Sequence, residues 1–116
     1  MELYVKYSEL VGSVLKYHRE KLNLSQGTLC EVLDVTSSTY SRYECGETSL
    51  TVTQLSKACR ALGVTTSEVL SEVNSFTVKL LEKKDVAVAY GDETEELSGY
   101  IQLTGKGLVA VLKTLR

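Results

Sequence analysis

The segment from residue 37 to residue 44 combines several small hydroxyl side chains with one arginine. It is predicted to be a short helix whose outward side holds three small hydroxyl groups and one guanidinium, on Ser37, Ser38, Ser41 and Arg42. Small hydroxyl side chains let a helix approach bases closely, and one arginine can donate hydrogen bonds to O6 and N7 of a guanine. An ordinary solvated helix surface has a similar composition. Whether this helix contacts bases or only solvent therefore depends on the neighbouring elements that position it.

Few residues are suited to catalysis or to metal binding. His18 is the only histidine, and Cys30, Cys45 and Cys59 are spaced 15 and 14 residues apart without a CxxC pair. A structural zinc site needs four well-spaced ligands, and an active site needs a nucleophile or acid matched to a base. We therefore expect a protein that is not an enzyme, with no catalytic residue, no metal and no cofactor, and with reduced, structural cysteines.

Cap residues and apolar residues at helical spacing predict five helices before residue 73. They cover residues 8–22, 26–33 and 37–44, followed by one helix after a capping box at Thr51 and one after a capping box at Thr65. The connections between them are short, which is typical of a compact all-α unit.

The second and third predicted helices are separated by only three residues. Asp34 tolerates a left-handed backbone and can close the second helix, and Thr36 can cap the third. The buried positions of the second helix are expected at Leu29, Val32 and Leu33. A short and sharp connection of this kind is a helix-turn-helix arrangement.

Five short motifs resemble, in order and spacing, those of the lambda-repressor-like (Xre/Cro) family of transcriptional regulators. They are Leu24-Ser25-Gln26, the turn residue Val35, Ser41-Arg42, Glu44-x-Gly46 and Ala61-Leu62-Gly63-Val64. The resemblance extends from about Leu10 to Glu72. It implies a mainly α fold, with a five-helix lambda-repressor-like DNA-binding domain over residues 1–72.

The resemblance implies that the chain binds double-stranded DNA at its major groove and that seven residues contact the bases or the DNA backbone: Gln26, Ser37, Ser38, Ser41, Arg42, Thr48 and Ser49. Among them, Ser37, Ser38 and Arg42 occupy positions that usually read bases. Gln26 would brace the recognition helix and meet the DNA backbone, where the amides at the start of the second helix would hold a phosphate. The two residues in the loop after the recognition helix are candidate phosphate contacts.

Arg19 and Glu44 match an arginine and a glutamate that form a partly buried ion pair in this family. The pair would join the first helix to the end of the third. A phosphate contact by Arg19 is the alternative. We favour the structural ion pair, because Glu44 would be a poor neighbour for a phosphate unless it were paired.

Three residues depart from the family pattern. Asp34 stands where a turn glycine is usual, and Cys30 replaces an alanine and is expected to pack as a small apolar group. Cys45 stands where a longer polar residue often contacts a phosphate. A redox role for Cys45 would need a nearby cation to favour the thiolate, and the adjacent Glu44 and Glu47 disfavour it.

Residues 73–116 are predicted to form a small C-terminal α/β extension. The fifth helix either continues to about Lys84, which we favour, or gives way to a hairpin around residues 83–85. The rest of the prediction is a strand over residues 86–90, an acidic loop over 92–96, a strand over 100–103 that pairs antiparallel to the first, and a helix over 107–115.

The extension is too small for an independent core, so it should pack on the helical domain or on a second copy. One recognition helix reads few bases, whereas a two-fold dimer reads two half-sites about 34 Å apart. We therefore expect residues 73–116 to mediate homodimer formation, or alternatively to bind a different protein partner.

The charge balance argues against a protein held to DNA by bulk positive charge alone. The chain has 13 Lys and Arg residues against 15 Asp and Glu residues, a net charge of -2, and residues 1–72 hold 7 of the former and 9 of the latter. The DNA-binding surface must then depend on Arg42, hydroxyl groups and helix-terminal amides, with help from Lys6, Lys16 or Lys21.

Together these observations predict a sequence-specific DNA-binding transcriptional regulator, with a repressor that reads an inverted-repeat operator as a homodimer as the leading hypothesis. An antitoxin that autoregulates its operon and an interaction module that has lost DNA binding are the alternatives. No apolar run resembles a signal peptide or a membrane span. We therefore expect a cytoplasmic protein of bacterial or phage origin, with no membrane partner.

Overall fold

The computed structural model describes residues 2–91 and 95–116, and within these residues the chain forms six α-helices and three short β-strands. Their order is β1 (Leu3–Lys6), α1 (Tyr7–Lys21), α2 (Gln26–Leu33), α3 (Ser37–Cys45), α4 (Val52–Ala61), α5 (Thr66–Leu81), β2 (Val86–Ala89), β3 (Ile101–Gln102) and α6 (Gly105–Leu115). The prediction of a mainly α chain, with five helices followed by a small α/β extension, is confirmed.

Threonine side chains set the starts of α4 and α5. In the capping box of α4, the Gln54 amide donates to Thr51 Oγ1 at 3.1 Å and the Thr51 amide donates to Gln54 Oε1 at 2.9 Å. At the start of α5, Thr65 Oγ1 accepts a hydrogen bond from the Glu68 amide at 3.0 Å. These bonds satisfy backbone amides that have no hydrogen-bond acceptor within the first turn of a helix.

The three strands form a parallel sheet in the order β2-β1-β3. Leu3 pairs with Val86 on one side and with Ile101 on the other. The prediction that the two C-terminal strands pair antiparallel to each other is wrong. The four residues of β1 are too few to show a clear alternation in sequence, and β1 takes the central place in the sheet, where Val5 is fully buried.

The buried side of α2 differs from the prediction at one position. Leu29, Cys30 and Leu33 are buried, whereas Val32 is 38% exposed. At about 100° per residue, Cys30 lies beyond Leu33 on one side of the buried arc and Val32 lies about as far beyond Leu29 on the other, so tertiary packing decides which of the two is buried. The expectation that Cys30 packs as a small apolar group is confirmed.

Helix α5 runs without interruption to Leu81. The helical interpretation of this segment is therefore confirmed, although the helix ends before Lys84, and the hairpin around residues 83–85 is wrong. The following acidic loop was expected over residues 92–96, of which 92–94 lie outside the described residues.

One hydrophobic core joins the helices to the C-terminal extension. Leu108 and Leu112 of α6 belong to the same buried cluster as Val69 and Val73 of α5. Helix α5 passes through residues 72 and 73 and carries apolar side chains on both sides of that point. Residues 73–116 therefore pack on the helical domain rather than forming a core of their own.

Two glycines allow α1 to approach the C-terminal end of α3. A Cβ at Gly12 would overlap with the carbonyl oxygens of Tyr43 and Glu44. Gly46, at φ 75°, packs against the backbone of Glu9, where a side chain would also overlap. The close contact between the two helices consequently requires glycine at both positions.

Candidate nucleic-acid interface

The connection between α2 and α3 is a tight turn with a capped helix on each side. Ser25 Oγ accepts a hydrogen bond from the Thr28 amide at 3.4 Å at the start of α2, and Thr36 Oγ1 accepts one from the Thr39 amide at 3.2 Å at the start of α3. Asp34 adopts the left-handed conformation expected of it, with φ 54° and ψ 52°. The turn thereby fixes the direction in which α3 leaves α2.

Helix α3 presents a polar side to solvent. Ser37, Ser38 and Arg42 are exposed, and Ser41 is half-buried at the edge of the same side. Tyr40 is fully buried on the opposite side and anchors the helix in the core. The exposed side of α3 therefore carries hydroxyl groups and one guanidinium group.

Arg19 and Glu44 form a buried ion pair between α1 and the end of α3. Arg19 Nε donates to Glu44 Oε2 at 2.7 Å, and Arg19 Nη2 donates to Glu44 Oε1 at 3.0 Å. Arg19 Nη1 also donates to the carbonyl oxygen of Leu24 at 2.7 Å. Gln26 Nε2 donates to Glu44 Oε1 at 2.9 Å, so the first residue of α2 belongs to the same network. The network holds α1, α2 and α3 in one arrangement.

Both members of the ion pair are held in their charged forms. Burial by itself raises the pKa of the Glu44 carboxyl, but hydrogen bonds from Arg19 and Gln26 outweigh burial, and the pKa lies below its ordinary value. The hydrogen bond with Glu44 raises the pKa of Arg19. Because the two charges compensate each other, Arg19 adds little positive charge to the surface.

The loop after α3 exposes Thr48 and Ser49 to solvent. Gly46 ends α3 with a left-handed backbone, and the Glu47 amide donates to the carbonyl oxygen of Arg42 at 3.0 Å. The loop therefore starts from a fixed point at the end of the recognition helix. Cys45 is exposed beside it.

Residues 15–69 match the family model described as Helix-turn-helix. The match begins within α1 and ends within α5, so it includes the turn between α2 and α3 and both members of the Arg19–Glu44 ion pair. This segment is a helix-turn-helix domain of the lambda-repressor-like (Xre/Cro) family.

Solved structures similar to this helix-turn-helix chain include two of the clp gene regulator ClgR from Corynebacterium glutamicum. The first is 25% identical with a TM-score of 0.60, and the match covers 66% of this chain and 82% of that chain. The second is 26% identical with a TM-score of 0.57, and the match covers 60% and 91%. A structure of apo-HppE matches 53% of this chain and 35% of that chain, at 30% identity and a TM-score of 0.49.

Comparison with curated protein sequences gives no match. The helix-turn-helix family and the two ClgR structures together support a DNA-binding transcriptional regulator.

Glu9 makes a buried structural link that the sequence did not reveal. It is 2% exposed, and its Oε1 accepts hydrogen bonds from the Lys6 amide at 3.0 Å and from Gln102 Nε2 at 2.7 Å. The second bond links α1 of the helix-turn-helix chain to β3 of the extension. No local pattern could have indicated it, because the two residues are 93 positions apart.

The three lysines expected to help in DNA binding lie in different surroundings. The Lys21 ammonium lies 6.0 Å from the centre of the Tyr17 ring. Lys6 and Lys16 instead line a cleft beside the helix-turn-helix domain, together with Lys106 and Lys113 of α6. Lys106 and Lys113 are seven residues apart, which is about two helical turns. This spacing predicts that the two lysines lie on the same side of α6.

The remaining residues of types that could act in catalysis or bind a metal make structural contacts. His18 Nε2 lies 2.8 Å from Glu72 Oε1, which fastens α1 to α5. Within residues 2–91 and 95–116, no group of three His, Cys, Asp or Glu side chains is placed to hold a metal ion. In the same part of the chain, no helix combines the length and the apolar character needed to cross a membrane.

Proposed function

We propose that the chain is a sequence-specific transcriptional repressor that reads an inverted-repeat operator in double-stranded DNA as a homodimer. The observation that supports this function best is the solvent-exposed side of α3, held in place by the Arg19–Glu44–Gln26 network. A regulator of this kind would act in the cytoplasm of a bacterial cell.

Each candidate contact has a distinct role in this proposal. Ser37, Ser38 and Arg42 read bases, since they are exposed on the side of α3 that can enter the major groove. Ser41 is half-buried and contacts DNA only at the edge of that surface. The remaining contacts go to the DNA backbone and come from Gln26, Thr48 and Ser49.

Gln26 has a double role in the proposal. Its side-chain nitrogen is engaged by Glu44, which fixes the first turn of α2. Amides at the start of a helix carry a partial positive charge and attract a phosphate. Gln26 would thus align the start of α2 with the DNA backbone, while α3 is aligned with the DNA bases.

Residues 1–72 are proposed to be the DNA-binding unit and residues 73–116 the dimerisation segment. The segment exposes apolar side chains that the chain's own core does not cover: Val78 is 59% exposed, Leu81 is 55% exposed and Ile101 is 50% exposed. Apolar side chains exposed together on one segment are typical of surfaces that pair with a partner. A two-fold pair would present two recognition helices to two half-sites.

Selection from random double-stranded DNA with the full chain tests DNA reading. We expect enriched sequences to share an inverted repeat, because a symmetric dimer imposes its two-fold axis on the site. Enrichment of a single, non-repeated half-site would contradict the symmetric dimer. Failure to enrich any sequence would contradict DNA reading itself.

Sedimentation equilibrium tests the dimer independently of DNA. The double variant Val78→Glu/Leu81→Glu places two charges on the exposed side of α5 and should convert a dimeric chain into a monomer. Val52→Glu, which adds one charge, is the control, because Val52 is 81% exposed at the start of α4 and lies outside the extension. A wild-type chain that is monomeric at every concentration would overturn the dimer.

A further inference from the structure

A cleft of about 810 Å³ lies between α1, the end of α3 and one side of α6. Its volume falls within the range of sites that enclose small organic ligands. One wall belongs to the helix-turn-helix domain, including Glu44, Cys45 and Gly46, and the other belongs to the extension. The cleft is therefore shaped for a compact ligand rather than for a flat surface.

Positive charge dominates the open part of this cleft. Its lysines come from both walls and are Lys6, Lys16, Lys106 and Lys113. Among residues 2–91 and 95–116, no carboxylate lies within ion-pair distance of any of these four ammonium groups. Four like charges around one concavity repel each other, and a bound anion would relieve that repulsion.

The carboxylates that line the cleft do not neutralise these lysines. Glu9 is almost fully buried and accepts its hydrogen bonds from an amide and from Gln102. Glu44 is compensated by Arg19. Glu47 is exposed to solvent at the rim. The side of the cleft that is open to a ligand is therefore cationic.

The start of α6 adds neutral donors to this charge. Thr104, at the N-cap of α6, makes no side-chain hydrogen bond to the amides of the first turn. Thr104, Gly105 and Lys106 all line the cleft. Amides at an open helix start can donate to an anion that the ammonium groups have attracted.

We propose that this cleft binds a small organic anion that carries more than one phosphate or carboxylate group. Such a ligand matches several cations spread over two walls, whereas a single charge would satisfy only one wall. Bound there, it would link α6 to the end of the recognition helix at Glu44–Gly46. The binding site itself does not depend on the proposed DNA-binding function.

Isothermal titration of the full chain with inorganic tripolyphosphate and with citrate, in the absence of DNA, tests the site. The variant Lys106→Gln/Lys113→Gln should bind the better of the two probes about tenfold more weakly than the wild type, since two charge contacts are removed. The control variant Lys57→Gln/Lys84→Gln makes the same change in net charge on exposed residues outside the cleft and should bind as the wild type does. Equal losses in both variants, or no binding of either probe to the wild type, would overturn the proposal.

Alkylation of Cys45 by neutral iodoacetamide locates the bound probe. Cys45 lines the cleft and is exposed, whereas Cys30 and Cys59 are buried. The bound anion should slow alkylation of Cys45 in the wild type and not in Lys106→Gln/Lys113→Gln. Unchanged alkylation at saturation would overturn the proposal. Weaker DNA binding of that double variant without any anion binding would assign the lysines to the DNA backbone, and would overturn it as well.

Discussion

Glu44 connects three helices through one carboxylate group. It belongs to α3 and accepts hydrogen bonds from Arg19 in α1 and from Gln26 in α2. A buried carboxylate is tolerated only while its donors are present, because an unpaired charge cannot be solvated in the interior. The orientation of α3 consequently depends on this buried network and not on the exposed side chains of the helix.

Removal of Arg19 should destabilise the fold before it alters DNA specificity. We expect Arg19→Ala to lower the free energy of unfolding by about 3–5 kcal/mol, because Glu44 is left buried without its cation. Thermal unfolding followed by circular dichroism measures the change, with the exposed Arg60→Ala as the control. A wild-type melting temperature combined with a salt-dependent loss of DNA affinity would show that Arg19 contacts a phosphate instead.

The same carboxylate should make stability depend on pH. Because the pKa of Glu44 is lowered in the folded state, its contribution is complete above the ordinary carboxyl pKa of 4.5 and is lost as the pH falls through the folded value. Glu44→Gln removes the titrating group and should flatten this part of the pH dependence. Urea unfolding at a series of pH values between about 3 and 7 measures it. Identical slopes for variant and wild type would assign the acid sensitivity to other carboxylates.

Arg42 is the one long side chain on the exposed side of α3. Arg42→Ala should weaken binding to the selected operator by about 1–3 kcal/mol and relax the preference at one base pair. Fluorescence anisotropy with operator variants measures both effects. Lys57→Ala, an exposed cation on α4, should leave the base preference unchanged. Full retention of operator affinity by Arg42→Ala would show that α3 docks in a different register.

At the level of elements, the contact between α1 and α3 depends on glycine. The carbonyl oxygens of Tyr43 and Glu44 occupy the space that a side chain at Gly12 would need. The hydrogen bond from Ser8 Oγ to the Gly46 carbonyl oxygen, at 2.7 Å, closes the same contact at its end. Helix packing this close leaves no room for adjustment by side-chain rotation.

Two glycine-to-alanine substitutions should therefore act in opposite directions. Gly12→Ala should destabilise the chain by about 1–3 kcal/mol, because the added methyl group forces the two helices apart. Gly27→Ala should stabilise it by up to about 1 kcal/mol, since a Cβ there meets only Ser25 Oγ at 3.5 Å and alanine favours the helix. Urea unfolding of both variants measures the contrast. Equal stabilisation by both would mean that α1 and α3 lie further apart.

At the level of the whole molecule, the charge distribution sets how DNA binding responds to salt. The net charge is -2, and Arg19 is compensated by Glu44. Few cations are then left to displace counterions from the DNA backbone. In the proposed dimer, specific binding would rely on geometry, hydrogen bonds and two-fold symmetry to a greater extent than on charge.

The dependence of operator affinity on salt should be shallow. A plot of log K against log salt concentration should have a slope of about -2 to -4 per subunit, because each displaced phosphate counterion contributes about -0.9. Titrations between about 50 and 200 mM salt measure it. A subunit slope steeper than about -6 would reveal phosphate contacts beyond those proposed. Lys57→Gln, which removes a cation outside the proposed surface, serves as the control and should leave the slope unchanged.

The helices and the helix-turn-helix segment could be predicted from local patterns. Ser25, Thr36, Thr51 and Thr65 begin their helices as expected, and Asp34 makes the expected left-handed turn. Capping and amphipathic spacing are short-range effects, so each is readable within a few residues. The ion pair of Arg19 with Glu44 could be inferred only through the family resemblance, because 25 positions separate the two residues.

Contacts between distant parts of the chain decided the rest. The four residues of β1 carry too short a pattern to predict, and their pairing with β2 and β3 made the sheet parallel. The buried hydrogen bond between Glu9 and Gln102 exists because the extension packs on the domain. The same packing places lysines from α1 and α6 in one cleft. Such arrangements follow from burial in one common core, which no local stretch of sequence encodes.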